Sequence, residues 1–126
     1  MTADKKAING KVLVIDDEKE LLELISFYLK MNKYDVLSAS TAEEALEQVS
    51  DEVKLIVSDI CMPKVNGLEL YKKISEKLGY SPKVLFLSGF SDEAEEKVAA
   101  LGIPDIPVLS KPIDFNKLIN YIQLHS

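Results

Sequence analysis

Five side chains in this sequence could do chemistry, and each stands at or just behind the end of a short apolar run. Asp16 and Asp17 follow the run KVLVI. Asp59 ends LIVSD, Ser88 follows VLFL, and Lys111 stands just past the run at 107–109. Burying an unpaired carboxylate is costly, so Asp59 is not there for packing. At the C-terminal end of a buried parallel strand, however, an acid opens into the crevice where α/β proteins bind ligands. Three converging carboxylates repel one another unless one is protonated or a cation sits among them. A few carboxylates plus waters suit Mg²⁺ better than a full Ca²⁺ cage. A lysine and a hydroxyl beside them suit the oxygens of an anion. The combination describes phosphoryl chemistry at a carboxylate, with Asp59 as nucleophile.

Each residue also has a plain structural reading. Asp16, Asp17 and Glu18 form a helix N-cap followed by first-turn acids. Ser88 caps the next helix, and Lys111 is a solvated surface lysine, as most lysines are. Asp59 beside Asp16 and Asp17 favours the metal reading. A lysine held between a strand and a proline, Pro112, is poorly explained as a casual surface residue.

The elements that must position these residues alternate. Lys11–Ile15 reads as a first strand, followed by a helix whose apolar face is Leu21, Ile25, Tyr28 and Leu29, with Asn32 as C-cap. Residues 35–39 form a second strand. Thr41 and Glu44 then make a capping box ahead of a helix faced by Ala42, Ala45, Leu46 and Val49. The third strand is 55–58. A loop at 63–67 leads to a helix marked by Leu70, Ile74 and Leu78. Residues 84–87 form a fourth strand, and Ser91 caps a fourth helix faced by Ala94, Val98 and Leu101 and stopped by Gly102. The fifth strand is 107–109. Asp114 caps the last helix, with Ile113 and Leu118 as a hydrophobic staple and Phe115, Leu118, Ile119 and Ile122 buried. Five strand-plus-helix units imply a parallel sheet covered on both faces. Two open arrangements compete, and the flavodoxin-like strand order 2-1-3-4-5 fits five strands. An eight-stranded barrel is excluded by length.

The bulk numbers narrow the function. A chain of 126 residues, 47% hydrophobic, suits one compact domain, expected over residues 11–124 behind a flexible leader at 1–10. A net charge of −6 disfavours a nucleic-acid surface. All 15 basic residues are lysines, so no guanidinium clamp is available. One cysteine permits no internal disulfide, and no stretch has the length or apolarity of a membrane span. A cytoplasmic location is expected.

These residues in this order resemble the receiver domain of two-component response regulators, of the CheY-like kind. The match is Asp16-Asp17, Asp59 with Met62-Pro63 and Gly67, Ser88-Gly89, and Lys111-Pro112. It runs from about residue 11 to 124. The resemblance implies that Asp59 accepts a phosphoryl group from a histidine kinase or a histidine phosphotransfer protein. It implies that Asp17 and Asp59 ligate Mg²⁺ directly, Asp16 through water, and Cys61 through its backbone carbonyl. Lys111 would contact the phosphoryl group, Ser88 would move toward it, and the Lys111–Pro112 bond would be cis. Such a domain is a phosphoacceptor in signalling that assists its own phosphorylation and dephosphorylation, rather than an enzyme. Its output is binding to a downstream protein, in a phosphorelay or as part of a larger protein.

The sequence departs from the family at Val108, where an aromatic residue often stands three positions before the lysine. The alternatives weighed are a phosphorylation-independent pseudo-receiver and a Mg²⁺-dependent aspartyl phosphatase. The phosphatase commonly needs an acid two residues after the nucleophile, where this chain has Cys61. A flavodoxin is disfavoured by acids where a phosphate loop would be. Cys61 itself reads as a small residue that fits its place, Met62 as packing beneath the site, and His125 as an exposed tail residue. Tyr71, Tyr80 and Tyr121 read as amphipathic helix or turn residues.

Overall fold

The computed structural model describes residues 10–62, 64–89, 96–102 and 106–124. The expected leader (apart from Gly10), Pro63, the Ser91 cap with Ala94, and His125 lie outside the described residues.

Strands β1 (Lys11–Ile15), β2 (Asp35–Ala39), β3 (Val53–Asp59), β4 (Val84–Ser88) and β5 (Val108–Ser110) form one parallel sheet in the order β2-β1-β3-β4-β5. This is the expected flavodoxin-like arrangement. Helices α1 (Lys19–Met31), α2 (Ala42–Gln48), α3 (Gly67–Leu78) and α5 (Phe115–Leu124) connect or follow the strands, and residues 96–99 are helical and counted as α4.

The central strands are apolar at both parities because both faces are covered. Leu13, Ile15, Ile56 and Phe86 point to one side and pack with Ala45, Leu70, Ile74 and Val98 under α2, α3 and α4. Val12, Val14, Val57, Leu85 and Leu87 point to the other and pack with Leu22, Ile25, Leu29, Leu118 and Ile122 under α1 and α5. Among the described residues, no helix is long and apolar enough to cross a membrane.

Strand ends differ from the reading in places that have local causes. β3 starts at Val53, because Lys54 faces outward between buried Val53 and Leu55. β4 reaches Ser88, which pairs in register with Ser110. β5 starts at Val108: Pro107 has no N–H and contributes only its carbonyl, which accepts from Phe86 N–H at 3.1 Å. Helix α1 turns its buried face slightly, to Leu22, Ile25, Ser26 and Leu29, leaving Leu21 and Tyr28 at its margin. Asn32 is its C-cap, as expected. Thr41 accepts from Glu44 N–H at 3.1 Å, but the Glu44 carboxylate reaches past Thr41 to Ser40 N–H at 2.8 Å. Asp114 caps α5 by accepting from the N–H groups of Asn116 and Lys117.

Two glycines fix the chain around α3. Gly79 ends it in the left-handed region at φ +82°. Gly67 begins it, donating its N–H to Ile60 carbonyl at 2.7 Å. A Cβ on Gly67 would run into the Asp59 carbonyl oxygen and lie 3.0 Å from Ile60 Cα. The start of α3 is therefore pressed directly against the end of β3.

Candidate functional site

The sheet delivers the five singled-out residues to one edge, because parallel strands end on the same side. Asp59 closes β3 and Ser88 closes β4, while Asp16-Asp17 follow β1 and Lys111 follows β5. Asp16, Asp59 and Ser88 are all buried. Carboxylate oxygens of Asp16, Asp17 and Asp59 lie within 4.8 Å of one another. These are three hard oxygen donors on separate side chains, a set that fits a hard divalent cation.

Lys111 sits over this cluster with its side chain 19% exposed. Its Nζ is 3.2 Å from Asp59 Oδ2, 3.3 Å from Asp16 Oδ2 and 3.2 Å from Glu18 Oε1. The backbone anchors it, since Lys111 N–H donates to Ser88 carbonyl at 2.8 Å. The Lys111–Pro112 bond is cis, in line with the expectation. The other oxygen of Asp59, Oδ1, accepts from Cys61 N–H at 3.3 Å. Asp16 Oδ1 accepts from Glu18 N–H at 2.9 Å, which turns the chain into α1. The capping reading of the first acids is thus half right: Asp16 caps the turn, and it still faces the cluster.

Burial pushes the Asp59 carboxyl above the usual range. The Lys111 charge opposes this, and the neighbouring Asp16 charge adds to it. Burial likewise raises Asp16, against the Glu18 N–H and Lys111. For Lys111, burial alone would lower the ammonium. The Asp16 and Asp59 charges, with the bonds to Glu18 and Asp59, outweigh it and hold the group well above the ordinary lysine range. The site as built thus has a surplus of negative charge that one lysine does not cancel.

The family model of the response regulator receiver domain matches residues 12–123. The chain belongs to the response regulator receiver family. The receiver is 36% identical over 106 residues to the alkaline phosphatase synthesis transcriptional regulatory protein PhoP of Bacillus subtilis, covering 83% of this chain and 43% of that protein. It is 34% identical over 114 residues to a CpxR homolog of Haemophilus influenzae, covering 90% of this chain and 49% of that protein. The chain thus spans less than half the length of these curated relatives. Among solved structures, the chemotaxis protein CheY4 of Vibrio cholerae superposes with a TM-score of 0.80 at 27% identity, covering 93% of this chain and 98% of that one.

The structure adds detail to several smaller expectations for the receiver. Cys61, read as a small residue that fits its place, is an exposed free cysteine two residues past Asp59. Tyr71 lies on α3, on the helix's buried face. It is buried against Phe86 and its hydroxyl donates to Pro82 carbonyl at 2.6 Å. Val108 is half-buried and packs on the layer under α2 and α3, on the same face as its register partner Phe86. Met62, read as packing beneath the site, is half-buried against this same layer. Two contacts went unread in the sequence. Asn66 caps α3 by accepting from Glu69 N–H at 2.8 Å, a signal available in the Asn-x-x-Glu spacing. The Glu18 contact with Lys111 joins the first and fifth strand ends, and no local pattern announces it.

Proposed function

We propose that this chain is the phosphoacceptor of a two-component phosphorelay, with Asp59 taking a phosphoryl group from a histidine kinase or a histidine phosphotransfer protein. The observation that carries the reading is Asp59 itself. It is a buried carboxylate with a lysine on one oxygen and a backbone N–H on the other, inside a three-carboxylate cluster. An Asp59 oxygen attacks phosphorus. The bond from phosphorus to the donor nitrogen breaks, and that nitrogen keeps the electron pair. Lys111 holds a phosphoryl oxygen, and the Ser88 hydroxyl, at the end of β4, would donate to another.

Asp17 and Asp59 would hold Mg²⁺ directly, Asp16 through water, with the Cys61 carbonyl as the remaining protein ligand. When bound, the ion neutralises charge developing on the phosphoryl oxygens. The chain does not turn over an external substrate in this reading. It assists modification and hydrolysis at its own side chain, and it signals by binding a downstream protein in the cytoplasm. A gain of negative charge at Asp59 shifts the balance of two conformations near α4 and β5. Val108 gives that face no aromatic side chain to turn inward.

The test is intact mass after incubation with acetyl phosphate and Mg²⁺. The wild type is expected to gain one phosphoryl group and Asp59→Asn none. A wild type that binds Mg²⁺ but gains no mass from acetyl phosphate or from a phosphorylated histidine donor would be a phosphorylation-independent interaction module.

A further inference from the structure

A lysine ammonium has three N–H donors and no acceptor, so the three carboxylates around Lys111 fill it. A phosphoryl group on Asp59 takes over the bond that the Asp59 carboxylate made and offers further oxygens to the same ammonium, in competition with Asp16 and Glu18. Of these two, Asp16 is buried, so losing a bond to the ammonium costs it more than it costs an exposed group. The Glu18 side chain is 63% exposed, so solvent takes over its bond at little cost. Glu18 occupies the N-cap position of α1 without a side-chain capping bond, and its backbone is tied to Asp16 Oδ1. The carboxylate therefore stays beside the lysine after releasing it.

Resting on the phosphoacceptor reading above, we infer that Glu18 is a positioning residue: its carboxylate holds Lys111 in the unmodified chain and is exchanged for a phosphoryl oxygen when Asp59 is phosphorylated. With acetyl phosphate as donor, an Asp59 oxygen bonds to phosphorus, the bond from phosphorus to the acetate oxygen breaks, and acetate leaves with the electron pair. No proton transfer is required, and Lys111 stays protonated while one of its hydrogen bonds changes partner. Glu18 thus competes with the phosphoryl group for the ammonium and sets how readily the site accepts one.

Two variants separate contact from general charge. Glu18→Gln keeps the length and loses the charge. Glu18→Asp keeps the charge and draws the carboxylate back from Lys111 by one methylene. Both are expected to raise the rate of modification by acetyl phosphate, and to tighten binding of beryllofluoride with Mg²⁺, by roughly two- to fivefold, the scale of an exposed ion pair. If Glu18→Asp behaves as wild type while Glu18→Gln gains, the effect is the field of a surface charge and the proposal fails. It fails also if both variants match the wild type, or if both are slower. A purely structural role would lower the melting temperature without speeding modification. A wild type that gains no phosphoryl group at all overturns the phosphoacceptor reading, and this inference falls with it.

Discussion

The Lys111 ammonium stands 3.2 Å from the Asp59 carboxylate, although the two residues belong to the ends of different strands with β4 between them. The contact forms across the open edge of the sheet. It holds a positive charge against the buried Asp59 carboxylate.

Mg²⁺ is expected to raise the melting temperature, because it binds the folded carboxylate cluster and the unfolded chain lacks one. At a hundredfold excess over its dissociation constant, the ion adds about 2.7 kcal/mol. That corresponds to on the order of 10 °C for a chain of this length. Asp17→Asn should remove most of the shift. Thermal unfolding with and without Mg²⁺ reads this directly, and an unchanged melting temperature for the wild type would mean that the cluster does not hold the ion.

Without metal, stability should fall as pH rises from the ordinary carboxylate range toward neutrality. Burial holds Asp16 and Asp59 above that range, so in this window the folded chain binds more protons than the unfolded one. Raising the pH then removes stability, the opposite of the usual ion-paired acid. Asp16→Asn should flatten this slope. Urea midpoints between about pH 4 and 7 in chelator measure it. A variant with an undiminished slope would place the effect on other groups. Lys111 is shifted upward by the same cluster, so its contribution is complete through this window and is lost only at strongly alkaline pH.

Gly67→Ala should cost about 1–3 kcal/mol, because its Cβ meets the Asp59 backbone and cannot be absorbed by a flexible side chain. It should also slow phosphoryl capture, since the residue displaced is the acceptor itself. Gly79→Ala is the control. Its left-handed backbone costs about 1–2 kcal/mol, but open space surrounds it, so capture should be unchanged. Equal capture by both variants would show that the start of α3 does not set the position of Asp59.

The chain order of elements was legible because the signals are local. Apolar runs of four or five residues, an Asn at a helix end and an acid ahead of the last helix all act over one or two turns. The convergence of the candidate residues was legible for the same reason, since a parallel sheet turns residues at strand ends into neighbours without further information. What could not be read depends on contacts between distant segments. The hydroxyl of Tyr71 finds Pro82 only because the chain after α3 folds back beside the helix. Glu18 meets Lys111 only because the first and fifth strand ends share an edge. The exposure of Cys61 follows from a loop tied back by Gly67, which sequence spacing does not describe.

The sheet separates two apolar layers, one under α1 and α5 and one under α2, α3 and α4. A volume change in one layer is absorbed by that layer's own helices, with little reason to disturb the other. The strand ends are the one feature both layers support, and they need only a few side chains. Such a body can exchange most of its interior piecemeal while its working edge stays in place. A chain 27% identical to a chemotaxis protein can therefore share its backbone with a TM-score of 0.80. Divergence in this architecture is cheap in the layers and expensive at the row of five residues where they meet.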